Sequence, residues 1–280
     1  MKKLIVSSER PVDRVIVEVL TAIDRAARGL GINYFVAGAM ARDLVLHHVF
    51  AFDTIRATSD VDFAVHVSDW EQFDSLKQHL IDSKEFSIDP KRAERLHYLY
   101  TFPVDLVPFG GVVESNGHIS WPPDRAIEMN VIGYDDALDT SLRIEVTKDL
   151  LVPVASLAGL ALLKVFAWLD RGHMNPKDAQ DLALLLRRYA ETIDPDDLHG
   201  NEAKILEAVD YDYERAGARI LGQDTRQLAS PATADLMLNH LRHQPTRNRL
   251  VINMAQALRQ GDDPVEKADL LLDEFITGLS

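Results

Sequence analysis

The stretch that decides the fold runs from Tyr34 to Val67 and reads YFVAGAMARDLVLHHVFAFDTIRATSDVDFAVHV. It begins with a short apolar run that ends at Gly38, continues into a segment of helix-forming residues, and closes with a second apolar run that starts at Val61. A short apolar run that ends at a glycine is typical of a strand followed by a tight turn. The stretch therefore predicts a strand, a turn, a helix and a second strand.

Two carboxylates lie at the start of the second strand, in the sequence SDVDF of residues 59–63. Because side chains alternate along a strand, Asp60 and Asp62 share one face while the apolar residues beside them point into the core. Neighbouring carboxylates repel each other unless a cation lies between them, and oxygen pairs of this kind suit Mg²⁺ with its bound phosphates. A calcium loop needs more oxygen ligands and a nearby glycine, which Phe63-Ala64-Val65 does not supply.

Gly38 lies at the predicted turn between strand and helix. A residue without a Cβ lets the backbone approach a phosphate closely, and the N-terminus of the following helix offers free N–H groups. A small-residue turn followed by a D-x-D strand resembles the DNA polymerase beta-type nucleotidyltransferase superfamily, which usually has Gly-Ser or Gly-Gly at the turn. Here the second residue is Ala39. It leaves a backbone N–H but no hydroxyl to bind a phosphate.

Arg42 and Asp43 follow this turn. The segment Gly38–Leu44 resembles the G-G-x-x-R-D-x-L opening of class II CCA-adding enzymes and bacterial poly(A) polymerases. Two interpretations of the pair stay open. Arg42 either binds the triphosphate of a nucleotide or forms a structural ion pair with Asp43.

A third acid, Asp105, lies within the apolar run Phe102–Val107. An unpaired charge in such a strand is costly to bury, so that a partner is expected. If this strand lies beside residues 61–67, three carboxylates converge on one or two Mg²⁺ ions, and Asp105 is placed to bind metal and accept a proton from an attacking hydroxyl. The alternative is an acid on an edge strand that faces water. The D-x-D pair upstream favours the metal site.

The composition limits the classes of function. The chain has 280 residues, no cysteine and a net charge of −14. Without thiols there are no disulfides or thiolate metal sites, and without a long apolar run or signal peptide we expect a cytoplasmic protein that does not contact a membrane. The acidic balance argues against broad electrostatic capture of RNA or DNA. A basic cluster at Lys91–Arg95 is either a solvated turn or a contact for a triphosphate or a tRNA end.

A domain boundary is predicted near residue 150, because beyond Ser156 every strong hydrophobic period is helical. We expect an α+β fold, with a polymerase beta-like nucleotidyltransferase domain and its mixed sheet at residues 1–150 and a helical bundle at residues 151–280. Strands are predicted at 33–37, 61–67, 96–100, 104–107 and 142–147, with 110–125 a loop and 151–154 a linker. Helices of the second part are predicted near 156–171, 176–192, 199–222, 232–242, 246–259 and 264–278.

Lys164 lies on the apolar stripe of the predicted helix 156–171, where a lysine is unexpected. It either reaches water with its stem buried or projects into a cleft between the domains as a point charge for a triphosphate. In the next helix Asn175 is predicted to be the cap, Pro176 the first helical residue and Asp178 the capping-box position. Asp181 lies one turn further on, where capping does not explain an acid beside an apolar stripe.

The run Leu163–Leu182 resembles the K-x-x-A-x-x-x-R and [RK]-D-x-x-D-L motifs of the AbiEii/MenT-type nucleotidyltransferase toxins. The matching residues are Lys164, Ala167, Arg171, Lys177, Asp178, Asp181 and Leu182. Together with the upstream acids, the resemblance implies transfer of a nucleoside monophosphate from an NTP such as ATP, GTP or CTP, with loss of pyrophosphate. Family members studied as toxins modify the acceptor end of tRNA or a protein. It therefore implies a tRNA 3′ end as acceptor and a cognate antitoxin as partner.

The expected site combines both parts of the chain, with Mg²⁺ and an NTP between them. Asp60, Asp62 and Asp105 are the expected metal ligands, and Asp105 is also the expected base. The expected nucleotide-binding residues are Gly38, Ala39, Arg42, Lys164 and Asp178. Lys164 and Asp181 are expected to complete the catalytic pocket.

Two other functions fit the same residues. A small-molecule nucleotidyltransferase of the aminoglycoside-modifying kind would suit the acidic surface, since its substrate is cationic. A non-catalytic protein that uses the cleft to sense a nucleotide or to bind a partner would suit Ala39 at the turn.

Overall fold

The computed structural model describes residues 3–53, 60–258 and 263–280. The chain divides into two compact units, Met1–Ser156 and Leu157–Ser280. All strands found in the described residues belong to the first unit, and the second is built from helices. Among the helices of these residues, none combines the length and the apolar character that a membrane span requires.

The N-terminal unit is organised around a mixed sheet. Its strands are β1 (Leu4–Ile5), β2 (Asn33–Ala37), β3 (Val61–Val67), β4 (Phe86–Ile88), β5 (Arg95–Tyr98), β6 (Phe102–Gly110), β7 (His118–Ser120), β8 (Glu128–Asn130), β9 (Leu142–Thr147) and β10 (Leu150–Val154). Eight of them form one sheet in the order β1-β9-β10-β2-β3-β6-β5-β4, while β7 pairs with β8. The pairs β1–β9, β10–β2 and β3–β6 are parallel and the rest are antiparallel. This mixed sheet confirms the predicted fold class.

Apolar packing fixes the middle of the sheet. Alternate residues of β3, namely Val61, Phe63 and Val65, have no exposed surface. Burial of each such side chain contributes about 1.5–3 kcal/mol to folding. Phe35 of β2 and Phe109 of β6 are equally buried, and their ring centroids lie 5.9 Å apart. The strands that carry the predicted acids are therefore held in place by the core.

In the described residues of this unit, the α-helices are α1 (Arg14–Gly29), α2 (Gly38–Asp43), α3 (Trp70–Asp82) and α4 (Tyr134–Asp139). A π-helical turn, Leu44–Val49, continues α2, so that the predicted helix after the turn is confirmed. The cap of α3 is Asp69, which accepts a hydrogen bond from the Gln72 backbone at 2.8 Å. The sequence favours Ser68 as this cap, which is wrong by one residue. The polar residues 51–59, for which the sequence predicts a loop, lie mostly outside the described residues.

Three local predictions in the N-terminal unit are wrong. Residues 151–154 are not a linker, because they belong to β10 and pair with β9 and β2. The predicted strands 96–100 and 104–107 put a turn near Pro103, but the turn lies at 99–101, where Leu99 and Tyr100 have positive φ. Pro103 lies within β6, opposite His97. The loop 110–125 contains β7.

The C-terminal unit is helical, as predicted. Its helices are α5 (Leu157–Arg171), α6 (Lys177–Arg188), α7 (Pro195–Gly200), α8 (Ala203–Ala208), α9 (Tyr213–Leu228), α10 (Pro231–Arg242), α11 (Gln244–Ala255) and α12 (Pro264–Leu279), with a 3₁₀ turn at Tyr189–Thr192. The prediction of a single helix over residues 199–222 is wrong. The chain breaks there because Asp210 and Tyr211 have positive φ, and Asp212 starts α9 by accepting a hydrogen bond from the Arg215 backbone.

Candidate active site

Three acids lie on or beside two neighbouring strands of the N-terminal unit, β3 and β6. β3 and β6 run parallel, with Asp62 in register with Asp105. Because residues in register on neighbouring strands share a face, the two carboxylates project from the same side of the sheet. Asp60 immediately precedes β3 and lies two residues from Asp62. The fold thus brings together acids that are far apart in the chain.

Arg95 joins two of these acids. It lies on β5 in register with Asp105. Its Nε donates to Asp105 Oδ1 at 2.6 Å, and its Nη2 donates to Asp105 Oδ2 at 2.8 Å and to Asp60 Oδ2 at 3.3 Å. Charge-assisted bidentate pairs of this kind are among the strong hydrogen bonds of proteins. Asp105 is therefore a buried, paired carboxylate, 5% exposed, and not an edge acid that faces water.

The acids also set the electrostatics of Arg95. The hydrogen bond to Asp105 raises the pKa of the Arg95 guanidinium above its already high value, and the charges of Asp105, Asp60 and Asp62 raise it further, although burial opposes them. A second arginine, Arg92, donates from Nη2 to Asp105 Oδ2 at 3.2 Å and is much more exposed. Arg95 is thus a permanently charged group in the field of all three acids.

Gly38 lies directly against Asp62. Its φ is +62°, in the left-handed region, and a Cβ at this position would stand 1.9 Å from Asp62 Oδ2. Both the backbone conformation and the space therefore require glycine. The residue before it, Ala37, is in register with Asp62 across the β2–β3 pair. Gly38 positions a carboxylate, while a phosphate contact of Gly38 and Ala39 stays a prediction.

Arg42 pairs with its neighbour Asp43. The Arg42 Nε and Nη2 donate to Asp43 Oδ1 at 2.9 and 2.7 Å, and both residues are buried. Of the two interpretations of this pair, the structure shows the ion pair. A contact between Arg42 and a triphosphate stays a prediction.

The three acids have the donor chemistry that a divalent cation needs. Carboxylate oxygens are the protein ligands that Mg²⁺ prefers. Across residues 3–53, 60–258 and 263–280, no group of three or more His, Cys, Asp or Glu side chains is arranged to hold a metal ion. Instead the Arg95 guanidinium supplies positive charge to Asp105 and Asp60. Binding of a cation by Asp60, Asp62 and Asp105 stays a prediction.

A second charged cluster lies within the C-terminal unit. Lys164 Nζ on α5 donates to Asp178 Oδ1 at 2.9 Å and pairs with Asp181 Oδ2 at 2.7 Å, both on α6. Arg171 Nε donates to Asp178 Oδ2 at 2.7 Å. Lys164 is 9% exposed, so its stem does not carry the ammonium out to water. The predicted lysine, Asp178 and Asp181 are therefore in contact.

Opposing effects act on the charges of this cluster. Burial lowers the pKa of Lys164, but Asp181 and Asp178 raise it by more, so that the net shift is upward. Burial raises the pKa of Asp178, but Lys164 and Arg171 lower it by more, so that the net shift is downward. Both groups are consequently charged at neutral pH.

The capping-box prediction for Asp178 is wrong. Helix α6 begins at Lys177, and its first backbone N–H donates to the Asn175 side chain at 3.1 Å. Pro176 precedes the helix and is not its first residue. The Asp178 carboxylate is directed to Lys164 and Arg171, because a buried acid gains more from two cations than from a backbone amide at the helix start.

Arg95 is the site residue that sequence reasoning did not assign. The basic cluster Lys91–Arg95 drew attention to this part of the chain, with a solvated turn and a contact for a triphosphate or a tRNA end as the alternatives. The structure shows a third arrangement for Arg95, because the register of β5 with β6 places the guanidinium beside Asp105. Arg92 reaches the same carboxylate from the preceding turn.

Comparison with protein families gives a match over residues 22–267 to the family described as nucleotidyl transferase AbiEii toxin of type IV toxin–antitoxin systems. Comparison with curated proteins gives no match. The match covers most of the chain and confirms the resemblance that the sequence motifs indicated.

Comparison with solved structures gives matches of low sequence identity. The antibiotic-resistance factor ANT(2'')-Ia is 10% identical, with a TM-score of 0.38 over 71% of this chain and 97% of that one. The CCA-adding enzyme of Thermotoga maritima, solved with a tRNA, is 13% identical, with a TM-score of 0.31 over 97% of this chain and 82% of that one.

Proposed function

We propose that this chain, which belongs to the family of AbiEii nucleotidyl transferase toxins, transfers a nucleoside monophosphate from an NTP to the 3′ end of a tRNA. The register of Asp62 with Asp105 carries the proposal, because it places two acids on one face beside Asp60. Acids in that arrangement suit the transfer of a group between phosphate-bearing substrates.

The acidic face consists of Asp60, Asp62 and Asp105, and these residues have different roles in the reaction. An acceptor hydroxyl oxygen forms a bond to the α-phosphorus of the NTP, the bond from that phosphorus to the bridging oxygen breaks, and pyrophosphate leaves. The hydroxyl proton passes to a carboxylate oxygen of Asp105, once that oxygen is free of the Arg95 guanidinium. Asp60, Asp62 and Asp105 would hold the divalent cation, which would neutralise charge on the phosphates.

The other predicted site residues are proposed to bind the nucleotide. Gly38 and Ala39 offer backbone N–H groups to the phosphates, and Arg42 adds charge near them. Lys164, Asp178 and Asp181 serve the nucleotide as a preformed charged cluster. The internal pairing of that cluster supports a positioning role, since a fully paired buried group keeps its geometry.

The partners follow from the family. A toxin of a type IV toxin–antitoxin system implies a cognate antitoxin protein, and the resemblance to tRNA-modifying family members supports a tRNA acceptor. Both tRNA and NTPs are cytoplasmic, which is where we propose that the enzyme acts.

The test is a labelling experiment. The protein is incubated with Mg²⁺, total RNA and each α-³²P-labelled NTP in turn, and the products are separated on a denaturing gel. The proposal expects label in RNA of tRNA size for at least one NTP. A parallel reaction in EDTA serves as the control and should contain no labelled RNA.

Three outcomes distinguish the candidate functions. Label in tRNA supports the proposal. Transfer only after addition of a cationic small molecule, for which the net charge of −14 is suited, would replace tRNA by that substrate. No transfer to either acceptor would contradict the proposal and favour a nucleotide-binding protein without catalysis.

A further inference from the structure

Arg95 holds the acidic face more tightly than a surface ion pair would. Two of its three donor nitrogens, Nε and Nη2, contact Asp105 within 2.8 Å, and Nη2 also contacts Asp60. The Arg95 and Asp105 side chains are 17% and 7% exposed. Solvent therefore screens this pair less than it screens an exposed one.

Positive charge already surrounds these oxygens. Arg95 contacts both carboxylate oxygens of Asp105, and Arg92 contacts Oδ2 as well. A divalent ion beside the guanidinium would meet strong repulsion, since like charges at contact distance repel in a poorly screened site. An arginine side chain does not deprotonate in proteins, so its charge persists at every physiological pH. Only movement of the guanidinium makes room.

We infer that Arg95 and a divalent cation are alternative occupants of the face formed by Asp60, Asp62 and Asp105. The inference rests on the proposed function, because it concerns the metal which that reaction uses. In the nucleotide-free enzyme Arg95 is the counter-ion of the acids, and it lowers their affinity for the metal. Arg95 is thus a positioning residue that acts on the carboxylates.

The pairing also explains how the acids can lie close together. Three carboxylates on one face repel each other. The Arg95 guanidinium contacts two of them and lies in the field of the third. It therefore stabilises the acids in the positions from which they would bind a metal.

The experiment measures Mn²⁺ affinity of the full-length protein without nucleotide, by electron paramagnetic resonance of free Mn²⁺ and by calorimetry. Arg95→Gln keeps a polar side chain but removes the charge, and should bind Mn²⁺ at least about tenfold more tightly than wild type. Arg92→Gln is the matched control, since Arg92 makes one longer contact with Asp105. It should change the affinity by less than about threefold.

A second variant places the effect at Asp105. Arg95→Gln combined with Asp105→Asn should lose the tightened binding. Arg95→Lys keeps the charge but not the planar fork, and should fall between wild type and Arg95→Gln. If thermal unfolding shows that Arg95→Gln is not folded, Arg95→Lys carries the test, because binding at least about threefold tighter than wild type is still expected.

Equal or weaker Mn²⁺ binding by Arg95→Gln would overturn the inference. This titration contains no NTP, so that its result is separate from the transfer reaction. Tighter Mn²⁺ binding by Arg95→Gln, without any transfer activity of wild type in the labelling experiment, would contradict only the proposed function. Transfer activity of wild type, with the Mn²⁺ affinity of Arg95→Gln unchanged, would contradict only the role of Arg95.

Discussion

At the scale of single residues, Gly38 shows how a missing side chain positions a reactive one. The φ of +62° and the 1.9 Å separation between a Cβ and Asp62 Oδ2 are independent reasons for glycine. Phosphate approach, which the sequence pattern favours, is a third. An alanine at position 38 would therefore both strain the backbone and displace the Asp62 carboxylate.

Gly38→Ala should destabilise the protein by at least about 1 kcal/mol and abolish NMP transfer, because the Cβ and the Asp62 carboxylate cannot occupy the same space. Chemical denaturation and the labelling assay measure the two effects. Gly29→Ala is the control, since a Cβ there meets nothing within 4 Å. It should keep full activity, and an active Gly38→Ala variant would contradict this role of Gly38.

Residue identity alone predicted the three acids but not their partner. Asp60, Asp62 and Asp105 stand out because acids interrupt apolar strands. Arg95 does not stand out, because a basic residue near a turn is common. Its role depends on which strand lies beside β6, and a single sequence does not give that order.

At the scale of secondary structure elements, the Lys164 cluster links α5 to α6. An ammonium between two buried acids is costly to leave incomplete, and removal of one partner of a buried pair typically costs about 3–5 kcal/mol. The contribution of this cluster to the free energy of unfolding should therefore decrease at both low and high pH.

The sign of that response follows from the pKa shifts. The pKa of Asp178 is lowered by folding, so its contribution is present above the unfolded value of 3.8 and is lost as the pH falls through the folded pKa. The pKa of Lys164 is raised, so its contribution is present below 10.5 and is lost as the pH rises through the folded pKa.

Lys164→Met should lower the free energy of unfolding at pH 7 by about 3–5 kcal/mol, because the ammonium between Asp178 and Asp181 is removed. Lys164 is the strongest of the groups that lower the pKa of Asp178, so the variant should lose less stability than wild type as the pH falls below 3.8. Urea unfolding at several pH values measures this. Lys204→Met, an exposed lysine on α8, should change stability by less than about 0.5 kcal/mol. A Lys164→Met variant as stable as wild type would contradict the buried pairing.

Element prediction succeeded where the pattern is local. β3 and β9 have the predicted bounds, since regular alternation marks them. It failed at β10, where Pro153 suggested a linker although the strand pairs on both sides. It also failed over 199–222, because the backbone at Asp210 and Tyr211 takes a conformation that hydrophobic periodicity does not report.

At the scale of the whole molecule, the net charge of −14 governs the approach of RNA. Phosphodiester binding draws on unpaired basic side chains. In the cluster Lys91–Arg95, two of the three basic residues already contact Asp105. Few charges are therefore available to phosphates at this place.

Binding of tRNA should depend only weakly on salt. A plot of log affinity against log salt concentration should have a slope no steeper than about −2, since each neutralised phosphate of a single strand contributes about 0.7. Fluorescence anisotropy with labelled tRNA between low and moderate salt gives the slope. A slope of about −5 or steeper would reveal an extended basic surface and contradict this expectation.

The central claim is that the acids on β3 and β6 carry the transfer of the nucleotide. It is tested most directly by the rate of labelled NMP transfer for Asp62→Asn beside wild type and Asp74→Asn, an exposed acid on α3. Asp62→Asn should lower the rate at least about a hundredfold with its thermal unfolding unchanged, and Asp74→Asn should match wild type. Transfer at the wild-type rate by a folded Asp62→Asn enzyme would contradict the claim.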